Sequence, residues 1–306
     1  MTLESQPKLK SSLRLPENPA IEAYKNPDKW SHLLEASINF TPERKLIVEA
    51  LMERAWFQRT SPELQLELAK LADKNAEMPE GNHDGFLADL AGRPDVINDL
   101  EVIKLEKLPR GNFALIPTFK VKNKAGNEYP YEYISWRHGP NSGAKGLAFV
   151  KNHGAITHLI VLRGGKFATG KSEFDTIGGF INPEDTQEIT AAIKKTAYRE
   201  LTEELGLPDL KVEKIFDLGK IRVDAGMTNN NPSLFAAIID GEEAKKISPT
   251  PLNPDKFELK AGVLIVPIGQ LPELMKTNQD GLFLSTVAKS AAYGIIRFDQ
   301  LHDKNI

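Results

Sequence analysis

Six consecutive residues concentrate the reactive groups of this chain: Arg199-Glu200-Leu201-Thr202-Glu203-Glu204. At about 100° per residue, a helix stacks Glu200 one turn from Glu204 and Arg199 one turn from Glu203, with Glu200 and Glu203 also neighbours. Three clustered carboxylates repel one another, and a divalent cation would remove that repulsion. Hard cations such as Mg²⁺ take oxygen ligands, keep several waters and bridge to substrate phosphate. A plain alternative is a solvated, glutamate-rich helix end with Gly206 as its C-cap. The preceding Gly178-Gly179, the strand-like run before it and the closing Gly206-Leu207 weigh against that alternative.

Those carboxylates need an element to carry them. Asp185-Thr186-Gln187-Glu188 reads as a capping box, with Asp at the N-cap and Glu at N3. From Thr186 to Leu205 there is no Gly or Pro, and Ile189, Ala192, Ile193, Ala197, Leu201 and Leu205 recur at helical spacing. One continuous helix is therefore expected from the cap to the glycine.

These residues resemble the Nudix hydrolase family, whose signature is G-x5-E-x7-R-E-U-x-E-E-x-G-U, with U a bulky aliphatic. The right half matches at Arg199, Glu200, Leu201, Glu203, Glu204, Gly206 and Leu207, and the left half starts at Gly179. The signature places 13 residues between its glycine and its arginine, whereas 19 separate Gly179 from Arg199, so six are extra. The position eight before Arg199 is Ala191, which leaves the left-hand glutamate displaced or absent, with Asp185 and Glu188 as candidates. The helical pattern assigns the extra residues to roughly one and two-thirds added turns.

The resemblance implies a metal-dependent hydrolase that cleaves the diphosphate of a nucleoside diphosphate linked to another moiety. It implies Mg²⁺ or Mn²⁺ held by Glu200, Glu203, Glu204 and the Gly178 carbonyl. Arg199 would orient the carboxylates, and Glu203 or Glu258 would take the proton of the attacking water. The layout is most similar to the ADP-ribose pyrophosphatase branch, from the strand around Tyr131–Trp136 through Gly262–Pro267 to a closing helix near Ser285–Phe298. The loop Gly226-Met227-Thr228 resembles that branch's substrate-enclosing loop. ADP-ribose is the leading substrate on this reading, with nucleotide-sugars next. A nucleotide-sensing module without turnover is the alternative.

A second pattern competes. Gly165-Lys166-Phe167-Ala168-Thr169-Gly170-Lys171-Ser172 fits the P-loop G-x4-G-K-[ST] and follows a strand. A P-loop needs a helix to begin at Lys-Ser, yet only six residues separate Ser172 from Gly179, too few for a crossover helix. A hairpin loop is expected instead of an ATPase or kinase cradle. Arg163, Lys166 and Lys171 remain candidates for substrate diphosphate.

The rest of the chain frames that region. With 306 residues, two domains are expected. Residues 1–19 read as a flexible tail and 20–101 as an all-helical domain. Its starts are marked at Thr41-Pro42-Glu43 and Ser61-Pro62-Glu63, each an N-cap followed by Pro and Glu. Residues 102–306 read as the hydrolase domain, short strands, one long helix, then strands: an α+β fold with a mixed sheet in an α/β/α sandwich, as the resemblance implies. Hydrophobic residues make up 41% and charged residues 26%, as in an ordinary soluble domain. The absence of cysteine excludes disulfides and thiolate chemistry. A net charge of −3 without a dense Lys/Arg run gives no support for nucleic-acid binding, and no apolar run is long enough for a membrane span. The expected partner is a small nucleotide derivative, in the cytoplasm, with homodimerisation left open.

Overall fold

The computed structural model describes residues 33, 40–71, 83–137, 139–140, 143–166, 168–181, 189–248 and 260–297. The chain divides into two compact units, Met1–Glu132 and Tyr133–Ile306.

Among the described residues, the first unit carries the helices α1 (Pro42–Met52), α2 (Ala55–Gln58), α3 (Pro62–Lys70) and α4 (Asp84–Gly92). The expected caps form. The Thr41 side chain accepts from the Arg44 amide and Ser61 from the Leu64 amide, with Pro opening each helix. The unit is not all-helical, however, and the boundary expected after residue 101 falls inside it. Strands β1 (Val96–Ile97), β2 (Leu100–Lys107), β3 (Ala114–Leu115), β4 (Thr118–Asn123) and β5 (Glu128–Glu132) follow, and β1-β2-β4-β5 make one antiparallel sheet. The physical reason is a shared core. Trp56 of α2 is fully buried and meets Phe119 of β4 edge to face at 5.1 Å. Thr60 Oγ1 donates to the Trp56 carbonyl at 2.9 Å and accepts from the Leu105 amide of β2 at 3.0 Å. Residues 20–39 contribute only Leu33 to the description, so the start of the expected helical domain lies outside it, as does the tail.

The second unit holds β6 (Ser135–Trp136), β7 (Gly143–Asn152), β8 (Ala155–Lys166), β9 (Lys171–Asp175), β10 (Ile177–Phe180), α5 (Ile189–Glu204), β11 (Val212–Lys220), β12 (Ser233–Asp240), the short α6 (Gly241–Ala244), β13 (Lys260–Pro267), α7 (Leu271–Thr277) and α8 (Gly281–Ala292). Its main sheet runs β11-β12-β7-β8-β13, with β10 on β7 and β9 on β8. The sheet is mixed, because β12 pairs with β7 in parallel and the other pairs are antiparallel.

The central strand β7 is apolar on both faces because both are covered. Ala144, Ala148 and Val150 face a core completed by Ile193, Ala197 and Leu201 of α5 and by Leu205 just after it. Leu147 and Phe149 face a second core with Leu271 of α7 and Phe283 and Val287 of α8. Helices on each side of a mixed sheet give three layers, and α5, with the acidic run at its end, forms one outer layer.

The P-loop-like run is a β-hairpin. Gly165 pairs with Ser172 and Lys166 with Lys171, while Gly170 turns with φ 66° and donates to the Lys166 carbonyl. Its backbone enters an antiparallel ladder, and Lys171-Ser172 open a strand, where a phosphate cradle requires a helix N-terminus.

Candidate active site

The site is built where α5 ends beside β10. The buried apolar positions of α5 fall at Ile193, Ala197 and Leu201 and continue to Leu205 just past its end, so Glu200 and Glu204 lie on the flank of that stripe. Both are buried, 8% and 9% exposed, whereas the Glu203 side chain is 58% exposed. The helix stops in a Schellman motif. Leu207 N–H donates to the Thr202 carbonyl and Gly206 N–H to the Glu203 carbonyl, with Gly206 at φ 68°.

Glycine at 179 is required by Glu200. A Cβ on Gly179 would fall 2.1 Å from Glu200 Oε1 and 2.9 Å from Oε2, so the carboxylate lies against the bare backbone. Gly178, at φ 143°, has no room either, since a Cβ there would meet the Ala144 carbonyl oxygen at 2.1 Å. Arg199 ties helix to strand. Its Nη2 sits 2.7 Å from Glu200 Oε1 and donates to the Phe180 carbonyl at 2.9 Å, and its Nη1 pairs with Glu203 Oε2 at 3.2 Å. One guanidinium therefore grips two of the three carboxylates and the end of the glycine strand.

Two members of the expected ligand set are otherwise engaged. The Gly178 carbonyl accepts from Lys145 Nζ at 2.6 Å, a contact that the sequence reading missed. Glu203 turns outward to Arg199. Among the described residues, no group of three or more metal-ligating side chains is gathered. Glu200, itself paired with Arg199, and Glu204 are buried one turn apart. Two oxygen-donor carboxylates fit a cation such as Mg²⁺, which keeps several waters and is commonly held through one or two carboxylates plus substrate phosphate. They do not make a closed protein cage. Glu258, Asp185 and Glu188 lie outside the described residues.

The substrate candidates fall into two groups. Arg163 stands over the Phe174 ring at 5.9 Å, Lys166 is paired with Asp175, and Lys171 is exposed on the same hairpin. Among the described residues, no hydrogen bond or ion pair joins these three to 178–204. The loop Gly226-Met227-Thr228 is better placed. Asp224 Oδ1 accepts from the Gly226 and Met227 amides at 2.9 and 3.2 Å, which fixes the turn. The Ile134 amide donates to the Met227 carbonyl at 2.8 Å, and Thr228 Oγ1 donates to the Ile134 carbonyl at 2.9 Å. Two residues on, the Trp136 ring meets Phe180 at 6.2 Å, and Phe180 offers its carbonyl to Arg199. A continuous path of contacts therefore joins the loop to the box.

A further charged group lies on the α8 side of the sheet. Asp280, the N-cap of α8, accepts from the Phe283 amide at 2.6 Å. Burial pushes its carboxyl up, the Phe283 amide pulls it back, and the Asp175 charge adds to the rise, while Lys166 and Lys145 oppose it. The residue pattern contained one signal for such a cluster: a lysine in the otherwise small and apolar run Ala144-Lys145-Gly146-Leu147-Ala148.

No family profile matches this chain, and no curated protein does. Among solved structures, a crystal structure of ADP compounds hydrolase matches at 16% identity, covering 65% of this chain and 95% of that chain, with a TM-score of 0.47. The residues of the site, not that likeness, carry the functional reading. Among the described residues, no helix is long and apolar enough to cross a membrane.

Proposed function

We propose that the second unit is a Nudix-type pyrophosphohydrolase that cleaves the diphosphate of a nucleoside diphosphate linked to another moiety, ADP-ribose first and nucleotide-sugars next. The observation that supports it is the seating of Glu200 on Gly179 while Arg199 bridges Glu200, Glu203 and the Phe180 carbonyl. In that arrangement the two halves of the box, separated by six extra residues, act as one unit.

Glu200 and Glu204 would hold Mg²⁺ or Mn²⁺. Such an ion, when bound, neutralises diphosphate charge and lowers the pKa of water. Arg199 keeps Glu200 oriented through charge-assisted hydrogen bonds. Glu203, solvent-facing beside that guanidinium, or Glu258 accepts the proton of the attacking water. The loop Gly226-Met227-Thr228 encloses the substrate, and Arg163, Lys166 and Lys171 contact its phosphates once their present partners yield. The partner is a small molecule, neither nucleic acid nor membrane, and the setting is cytoplasmic.

The test is a hydrolysis screen over ADP-ribose, dinucleotides, nucleotide-sugars and nucleoside triphosphates with Mg²⁺ and Mn²⁺, repeated with Glu204→Gln. Turnover that Glu204→Gln abolishes supports the proposal, and unchanged turnover refutes it. One observation favours a second reading, a nucleotide-sensing module: Lys145 engages the Gly178 carbonyl, leaving two inward carboxylates. Nucleotide binding without hydrolysis for every compound of the screen would select it.

A further inference from the structure

We propose that β13 is a docking strand for a second copy of this chain, the two β13 strands pairing antiparallel so that the main sheets of two molecules run on as one. The inference goes beyond the proposed activity and does not depend on it.

Among the described residues, the main sheet ends at β11 on one side and at β13 on the other. Open strand edges attract further strands, and charges, prolines, bulges and shortness are what protect them. β11 is protected. Glu213 and Lys214 are exposed on it, and its pairing with β12 shifts register between Val212 and Lys214 and again between Asp217 and Lys220. In the sheet of the first unit, the outer strand β1 is two residues long, and the outer strand β5 carries Glu128, Pro130 and Glu132. β13 keeps such devices to its ends. Its one charged residue, Lys260, and its one register shift, between Lys260 and Gly262, lie at the start, and Pro267 closes it. Between them Val263-Leu264-Ile265-Val266 pairs with β8 without interruption. Successive residues of a strand point to opposite faces. Leu264 and Ile265 are nonetheless both open to water, 37% and 41% exposed. The strand therefore presents apolar side chains on both faces beside its outer edge.

A strand that fills this edge must be apolar on both faces and have amides to donate. The segment leading into β13 is a poor source, because Pro249, Pro251 and Pro254 have no N–H for a ladder. The β13 of another molecule meets both conditions. Around a two-fold axis perpendicular to the sheet, facing residues must share a face, so the register centres on one residue set opposite its own copy. Centring on Leu264 or Ile265 brings the exposed apolar side chains together. It also places the two copies of Lys260 at opposite ends of the paired stretch, which keeps like charges apart. The surface thus complements itself.

The chain has no cysteine, so one introduced thiol reports the pairing. Leu264→Cys and Ile265→Cys, with Leu46→Cys on α1 as a comparably exposed control, are oxidised as the full chain, and the cross-linked dimer is counted on a denaturing gel. Opposed Cβ atoms of an antiparallel pair lie about 4.5–5.5 Å apart, close to what a disulfide spans. The residue at the centre of the register should cross-link about tenfold or more faster than the control. If neither variant exceeds the control, the proposal is overturned. Sedimentation equilibrium then compares wild type with Leu264→Lys and Ile265→Lys, each with a melting curve to confirm its fold. Wild type should dimerise in a concentration-dependent way, and each lysine should weaken the dimer roughly tenfold or more. A wild type that is monomeric at every concentration overturns the proposal, whether the chain itself or a foreign partner covers the edge. A dimer that both lysines leave unchanged overturns it as well, because the contact then lies elsewhere.

Discussion

Glu200 and Gly179 are in direct contact: the carboxylate of one fills the space where a side chain on the other would begin, 2.1 Å from Oε1. What would be displaced there is the far end of a flexible side chain, not backbone. Gly179→Ala should therefore swing Glu200 away at little cost in stability. The expected result is a loss of about 100-fold in kcat/KM for ADP-ribose, since a displacement near 1 Å at a reacting centre costs about that much. Gly178→Ala should behave differently, because its Cβ would strike the Ala144 carbonyl and its φ is 143°. A fall of about 2 kcal/mol or more in unfolding free energy is expected there. Urea denaturation and steady-state kinetics on both variants check the contrast, and equal stability losses would count against it.

Arg199 acts through the shape of its guanidinium. It reaches Glu200, Glu203 and the Phe180 carbonyl at once, which a lysine cannot do. Arg199→Lys should lower kcat/KM about 10- to 100-fold. The side chain is 34% exposed, so the stability change should stay within about 1 kcal/mol. Kinetics that match wild type would show that the fork is not needed.

Asp280 gives a pH signature. Its carboxyl is raised above the ordinary 3.8, chiefly by burial. A folded-state value above the unfolded one means that its contribution is fully present below about 3.8 and is lost as pH rises through the folded value. Asparagine caps a helix comparably and does not ionise. The stability of Asp280→Asn relative to wild type should therefore improve as pH climbs from about 3.5 to about 7. Chemical denaturation across that range checks the sign, and the opposite trend would show that Lys145 and Lys166 outweigh burial.

In the first unit, Thr60 is 4% exposed and satisfies the Leu105 amide. Thr60→Val keeps the shape and removes the acceptor, leaving that amide buried and unmet. A loss of about 2 kcal/mol in unfolding free energy is expected. A change below about 0.5 kcal/mol would mean that water replaces the hydroxyl.

Features written in short-range pattern were legible in the sequence. The caps at Thr41 and Ser61, the strand Ser233–Asp240, the glycine end of α5 and the hairpin nature of 165–172 each depend on residues a few positions apart. Long-range pairing was not legible. The change of character at Val102 was visible, yet no local pattern says that the strands beyond it share a core with Trp56, because Thr60 and Leu105 are 45 residues apart. Lys145 was not singled out, and its partner is a backbone carbonyl 33 positions away. The count of three carboxylates says nothing of their directions, because Arg199 has to be placed before Glu203 is seen to turn outward.

The parallel pairing of β12 with β7 has a consequence for how the chain is made. Ala144 leaves the ribosome well before Ser233, the residue it will lie beside. Until β12 has been synthesised, one edge of the central strand stays open, although the whole acidic helix and both glycines have already been translated. Such non-local closure slows folding. A nascent chain halted short of Asp240 therefore displays an unpaired edge with its chemical groups already translated.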